Sequence, residues 1–468
     1  MFKKWGIWIL IVLFALIYSV YSVVRHLRME TYIFDLGYYD QLIWLASHGK
    51  KIYSSILESL PWIDHFSPSV FLLTPLYWIW DSPLALLTFQ AVFISFGAYP
   101  IYKLSINKTK SNLFSLTLSF CYLIFYGLQN AISYDFHAVA LGPTLLAFIF
   151  WFYEEKRFKF FWLALLIFAG LQENFLIFAS AYGVFLIFKY KDYKRGIPIF
   201  VGGLLLFLSL IYFIIPRIFA AQYYYVTKPL ETSSFFDIVK KLYTPSSKID
   251  VVVFSLTAFG FLPLLSPPFL VILAEEFLGR FLMTTNSNWW ILGFHYNAIL
   301  APVLAFSSIC AFEKYFTKKE ILASVLIVTG TLISLYRVKP DIPKMLNKSY
   351  YDFSKTYAAR EVIKEIPQDA SVASSNNLGA QIAHRKGLIF LTNCVENPKE
   401  WGPDSKRCFN LKPDYILADM DPYGSDNNFY PDYERDAVER YIDYVQKEKE
   451  YELVRKVDWV YLLKKIAY

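Results

Sequence analysis

KKWGIWILIVLFALIYSVYSVVRHLR, residues 3–28, decides the class of this protein. Between Lys3/Lys4 and Arg25 runs an almost unbroken apolar stretch from Trp5 to Val24, long enough as a helix to cross roughly 30 Å of hydrocarbon. No small-x-small cleavage site closes it, so it reads as an uncleaved first helix, with Lys3 and Lys4 placing its start in the cytoplasm.

Outward from this stretch the pattern repeats. Further apolar segments lie near 83–102, 112–128, 138–153, 160–171, 174–188, 197–215, 251–264, 267–278, 297–312 and 320–336. Basic clusters separate them: Lys103/Lys108/Lys110, Lys156/Arg157/Lys159, Lys189/Lys191/Lys194/Arg195 and Lys314/Lys318/Lys319. If all four face the cytoplasm, an even number of crossings divides each from the next. About eleven spans satisfy this and leave the C-terminus outside. Residues 66–80 (FSPSVFLLTPLYWIW) are apolar but short and carry Pro68 and Pro75; a full span there would turn every later basic cluster outward, so a re-entrant or interfacial helix is expected. Residues 161–188 would make one helix about 42 Å long joining two basic clusters across the membrane. A hairpin of two short helices with Gln172-Glu173-Asn174 at its tip fits better.

Composition agrees. The 468 residues are 56% hydrophobic and 18% charged, against about 25% charged in soluble chains, and mean hydropathy is +0.36. The net charge of +7 resides largely in the short inter-span clusters, a topology signal that argues against a nucleic-acid partner. Cys121 and Cys310 fall in apolar runs; Cys394 and Cys408 lie in the tail, where an oxidising compartment would let them pair.

After Pro340 the chain changes character. AAREVIKEI, SVAS, GLIFL, DYILAD, a helix over about 432–449, then YELV and WVYLL predict a compact α/β domain. The expected division is therefore 1–337, a mainly α transmembrane bundle with an outer loop at about 25–82, and 338–468, a soluble extracytoplasmic α/β domain. No GxGxxG or Walker loop occurs, so nucleotide binding has no support.

On this topology the polar residues collect at one leaflet. FDLGYYDQ (34–41) holds Asp35, Asp40 and Gln41; IDHFSP holds Asp64 and His65; SYDFH holds Asp135 and His137. Glu173 sits at the hairpin tip, Glu275, Glu276 and Arg280 near the end of a span, and His295 and Tyr296 in GFHYN. Ionisable groups at membrane depth cost a few kcal/mol unless they face a cavity or a partner, and one shared polar cavity is the economical expectation. Each residue also has a plainer reading. Asp35 can be an N-cap, Asp64-His65 an ordinary turn, Asp135 and His137 a solvated loop, Glu275 and Glu276 an interface flank, and His295 an interhelical hydrogen bond.

FDLGYYDQ, HFSP, YDFH, QEN and HYNAILAP, in that order, with SVASSNNLGAQIAHR and KPDYILAD in the tail, resemble a polytopic membrane protein family of unknown function that is similar to the GT-C glycosyltransferase superfamily. The resemblance covers essentially the whole chain. It implies transfer of a sugar from a polyprenyl-phosphate lipid to an extracytoplasmic acceptor, in the plasma membrane and among its lipids. Asp35 or Asp40 matches the acidic motif of the first loop and would be the catalytic base; Asp135 takes the place of the second acidic residue, although the paired acidic dipeptide of some members is missing. A divalent cation (Mg or Mn) on Asp135, His65 and His137, or an arginine among Arg25, Arg28 and Arg280, would meet the phosphate. Glu173, Arg280, His295, Tyr296 and Gln41 are the expected substrate-binding residues. Two other classes compete: a transporter or lipid flippase, against which no duplicated halves are found, and a non-catalytic scaffold whose tail binds envelope partners.

Overall fold

A computed structural model describes residues 2–61, 65–218, 234–282, 287–391, 412–421 and 432–466; Asp64, Cys394 and Cys408 lie outside them. Every apolar segment read from the sequence is helical. Among the described residues six helices are long and apolar enough to cross a membrane: Trp5–Leu27, Pro83–Thr109, Asn112–Ser133, Tyr193–Ile218, His295–Tyr315 and Glu320–Val338. Shorter apolar helices cover Pro68–Ile79, Ala138–Glu154, Phe158–Ala169 and Asn174–Tyr190.

Contacts along the chain gather into two compact units. The first comprises Met1–Tyr21, Trp62–Val70 and Thr88–Pro343; the second comprises Ser22–Pro61, Phe71–Leu87 and Lys344–Tyr468. Most of the loop at about 25–82 thus groups with the tail, a membership that a linear division at 337/338 does not anticipate.

In the first unit the helices are two-faced in an unusual sense, with apolar side chains on both faces. The first helix buries Ile7, Ile11, Phe14 and Tyr18 while Trp5, Ile9, Val12, Leu13, Leu16 and Val20 remain exposed. A continuous exposed apolar stripe is stable against lipid and not against water. The helix Glu320–Val338 buries its small residues instead. Thr331 Oγ1 donates to Ala258 O at 2.7 Å and Ser334 Oγ to Phe254 O at 2.9 Å. A Cβ on Gly330 would lie 1.9 Å from Thr257 O, so only glycine lets this helix meet Ser247–Ala258 backbone to backbone, the usual device where lipid replaces the hydrophobic driving force. The span His295–Tyr315 is almost wholly buried and forms the centre of the unit, whereas Tyr193–Ile218 is largely exposed at its rim.

The hairpin at 158–190 is as expected. Phe158–Ala169 and Asn174–Tyr190 run antiparallel, with Phe168 stacked on Phe175 at 4.4 Å and Phe161 near Tyr182 at 6.2 Å. Residues 68–79 form a 3₁₀ turn and a short helix, Pro68–Leu73 and Thr74–Ile79, too short to span.

The second unit holds a five-stranded sheet in the order β2-β1-β3-β5-β4. β1 (Val372–Ser374) lies parallel to β2 (Leu388–Phe390) and β3 (Tyr415–Asp419); β4 (Tyr451–Val457) and β5 (Val460–Lys465) form an antiparallel hairpin joined to β3. Its core packs Ala373, Ile416, Ala418 and Leu463 under Val438, Tyr441, Ile442 and Val445. These last four follow the i, i+3, i+4, i+7 rule of an amphipathic helix, here Asp432–Lys447.

Candidate functional site

In the first unit the polar residues form two groups. The first is built at the hairpin tip. Glu173, almost fully buried, accepts from His65 Nδ1 at 2.9 Å and from the Phe66 amide at 2.8 Å. The Ser69 amide donates to Gly170 O at 2.8 Å. The Pro-bearing segment 65–70 is therefore pinned to the hairpin by one carboxylate and one backbone bond. His65 and Glu173 serve each other, which gives Glu173 a structural partner in place of the substrate expected for it.

The second group surrounds a cavity of about 50 Å³, room for about three or four waters. Arg280, His295, Tyr296, Glu276, Asn174 and Trp289 contribute its polar and aromatic wall. The turn His295–Asn297 precedes the central helix Leu300–Tyr315, and its approach depends on Gly127, where a Cβ would fall 2.6 Å from the Asn297 carbonyl. Asn297, fully buried, donates through Nδ2 to the carbonyls of Ile291, Leu292 and Phe294 and accepts from Arg280 Nη2 at 2.8 Å. Arg280 also donates through Nε to Trp289 O at 2.6 Å and pairs through Nη1 with Glu276 at 3.3 Å. Its guanidinium is held rigidly at the cavity wall, the arrangement in which the arginine fork serves anion recognition.

Aromatic rings complete the wall. His137 stacks on His295 at 4.6 Å and 28°, Tyr134 lies 4.6 Å from His295, and Tyr296 is 4.1 Å from it. The His137 amide donates to Gln90 Oε1 at 3.0 Å, and Gln90 Nε2 returns to the carbonyls of Ala131 and Asp135. His295 Nδ1 and Asn174 Oδ1 are buried with no protein partner. A buried polar atom left open costs about 1–3 kcal/mol, so two such atoms at a polar cavity mark places for water or a ligand to bind.

The trio expected to hold a metal is not gathered. His65 is turned to Glu173, His137 to His295 and Tyr134, and among the described residues no three His, Cys, Asp or Glu side chains form a group able to hold a metal ion.

In the second unit, FDLGYYDQ opens on a wide π turn, Ile33–Gly37, that carries a half-buried Asp35 into the helix Tyr38–Ser47. The N-cap is Gly37, with no side-chain cap, so Asp35 is not a capping residue. Asp40 is fully buried. Its Oδ1 accepts from the Tyr77 hydroxyl and from His384 Nε2, the latter at 3.0 Å, and Oδ2 has no partner. Gln41 is a strut: its Nε2 donates to Ser55 Oγ at 2.7 Å and Arg385 O at 2.9 Å, and its Oε1 accepts from the Ser55 amide. Arg28 is likewise occupied by Glu30 and by the carbonyls of Ser349 and Tyr350, and Arg25 by Glu30 O. Of the three arginines considered for a phosphate, Arg280 lines the cavity described above.

Sequence reasoning missed His384, Tyr77 and Asp81 as partners of the first loop. A histidine 344 positions from its carboxylate leaves no periodic trace.

Helices that present apolar faces to their surroundings, gathered around buried ionisable groups, define a polytopic integral membrane protein. One solved structure, titled as ArnT from Cupriavidus metallidurans bound to undecaprenyl phosphate, is similar over 99% of this chain and 98% of its own, with a TM-score of 0.57 and 10% sequence identity. The fold is thus the mainly helical one of that structure, with a small C-terminal sheet. The chain belongs to the family described as "Predicted membrane protein (DUF2079)", which it matches over residues 25–462. No curated protein matches it.

Proposed function

We propose that the protein is a glycosyltransferase that moves a sugar from a polyprenyl-phosphate-linked donor to an acceptor on the extracytoplasmic side, with the N-terminus cytoplasmic and the tail outside. The observation that carries this reading is the likeness, along almost the entire chain, to a structure that holds undecaprenyl phosphate. The lipid chain would lie along the bundle, and its phosphate needs fixed positive charge, which the buried Arg280 supports.

In the reaction the acceptor hydroxyl attacks the anomeric carbon, the bond from that carbon to the phosphate oxygen breaks, and polyprenyl phosphate leaves. The hydroxyl proton passes to a carboxylate. Between the two candidates Asp35 is the better base, because it is partly exposed whereas Asp40 is sealed and already accepts two hydrogen bonds. The phosphate leaving group needs charge stabilisation rather than a proton.

Membranes containing Asp35→Asn should transfer label from a polyprenyl-phosphate sugar about 10²–10⁴-fold more slowly than wild type. Unchanged transfer would remove Asp35 from the role. Label entering sealed proteoliposomes without any glycosyl product would replace the transferase with a transporter.

A further inference from the structure

Two stretches of the second unit, 340 residues apart, run side by side in parallel register. The Ile33 amide donates to Asn376 Oδ1 at 3.0 Å, Gly37 lies against Ala380, Asp40 accepts from His384, and Gln41 donates to Arg385 O. The offset is 343 or 344 at every point. Gly379 packs closely here: a Cβ would fall 2.5 Å from Ile33 Cδ1, so the buried Ile33 side chain would have to shift. The tail stretch SVASSNNLGAQIAHR is therefore a cradle for FDLGYYDQ.

His384 stands at one end of this register between two carboxylates. Nε2 is 3.0 Å from Asp40 Oδ1 and Nδ1 is 3.3 Å from Asp81 Oδ1. Neutral imidazole has one N–H and would set a lone pair against one of these oxygens; only imidazolium donates to both. The ring also stacks on Trp44 at 5.4 Å and 15°, a face that favours a cation. Tyr77 adds a donor to Asp40, His48 approaches the other oxygen of Asp81 at 3.5 Å, and Lys50, over the Trp44 ring, is the opposing positive charge.

We propose that His384 is a positioning residue: as imidazolium it ties the helix Tyr38–Ser47 to the tail and so holds the turn that carries Asp35, and the protein works only while His384 keeps its proton. Its catalytic arm rests on the transferase reading; its structural arm does not. Burial alone would drive the imidazole toward its neutral form, but Asp40 and then Asp81 overcome this and hold it above its ordinary value. A group raised in the folded state stabilises fully below its unfolded pKa, near 6.5, and the contribution disappears as pH rises through the higher folded value.

The test uses the full-length protein in detergent or nanodiscs, followed by thermal melting and by hydrogen exchange of residues 33–47 from about pH 5.5 to 9, with transfer from a polyprenyl-phosphate sugar measured in parallel. Wild type should lose melting temperature, and its 33–47 segment should lose protection, as pH rises, with one midpoint above the ordinary histidine value near 6.5. His384→Gln should remove that transition. Asp81→Asn, at a side chain about half exposed, leaves the packing in place and should move the midpoint to lower pH, shifting the high-pH limb of the rate by the same amount. A transition that survives in His384→Gln, or a midpoint indifferent to Asp81→Asn, overturns the proposal. Correct melting shifts in a protein that shows no transfer at any pH would leave the clamp standing and remove the transferase.

Discussion

The two units handle buried polarity in opposite ways. In the first, Arg280, Glu276 and Asn297 are fixed around a cavity, and His295 Nδ1 and Asn174 Oδ1 beside it are left without protein partners. In the second, Gln41, Ser55, Asn376 and His384 mainly hold one stretch of chain to another, with Asp40 Oδ2 and Asn376 Nδ2 left over. Open polar atoms at a rigid wall suit a site that binds something. Closed pairs suit a frame that places something. Substitutions in the first unit should therefore be felt in turnover more than in melting, and those in the second in melting and pH response.

The sharpest break in that contrast would come from Arg280. Arg280→Lys keeps the charge and loses the fork, and transfer should fall about 10²–10³-fold; a rate within threefold of wild type would deny the cavity its role. Glu173→Gln is the exception inside the first unit, because Glu173 forms a closed pair with His65 and the Phe66 amide. It should cost about 2–3 kcal/mol, read as a lowered melting temperature, and release the 65–70 segment to hydrogen exchange.

Asn376→Ala leaves the buried Ile33 amide without its acceptor, at about 1–2 kcal/mol. Exchange should rise across 33–41 while the hairpin 158–190 is unchanged; a uniform rise would mean that the units do not respond separately. The smallest effect belongs to Asp414. The Ser371 amide, then its hydroxyl, hold this carboxyl below the usual range. Its contribution is present above about pH 4 and is lost as pH falls through the depressed value. The site is exposed and screened, so Asp414→Asn should cost less than about 1 kcal/mol and only at neutral pH; a loss that persists below pH 3 would contradict it.

Much of the architecture is legible in the chain because lipid and water impose period and length. Eleven apolar segments are helices, QEN sits at a hairpin tip, and SVAS, GLIFL, DYILAD, YELV and WVYLL all contain strands. The site is legible only in part. His137, His295, Tyr296 and Arg280 are brought together as a polar wall, whereas Asp40, read as a candidate base, and Gln41, read as a substrate ligand, are hydrogen-bonded to other parts of the chain. The reason is physical: a carboxylate or an amide in a loop has the same local signature whether its partner is a ligand or a side chain hundreds of residues away. His384 shows no signal of its own, and only its parallel register with FDLGYYDQ reveals what it does.

The membership of the second unit sets an order of assembly. Residues 22–61 leave the ribosome early, yet beyond Phe71–Leu87 the rest of their unit begins at Lys344. Roughly 280 residues of synthesis separate them, about 15–60 s at ordinary elongation rates. Throughout that interval the first loop has no cradle, and the Ile33–Asn376 and Asp40–His384 pairs can close only once the last quarter of the chain has emerged. A prematurely terminated product that keeps every membrane span would still lack an organised first loop, so completion of the protein is itself the event that arms it.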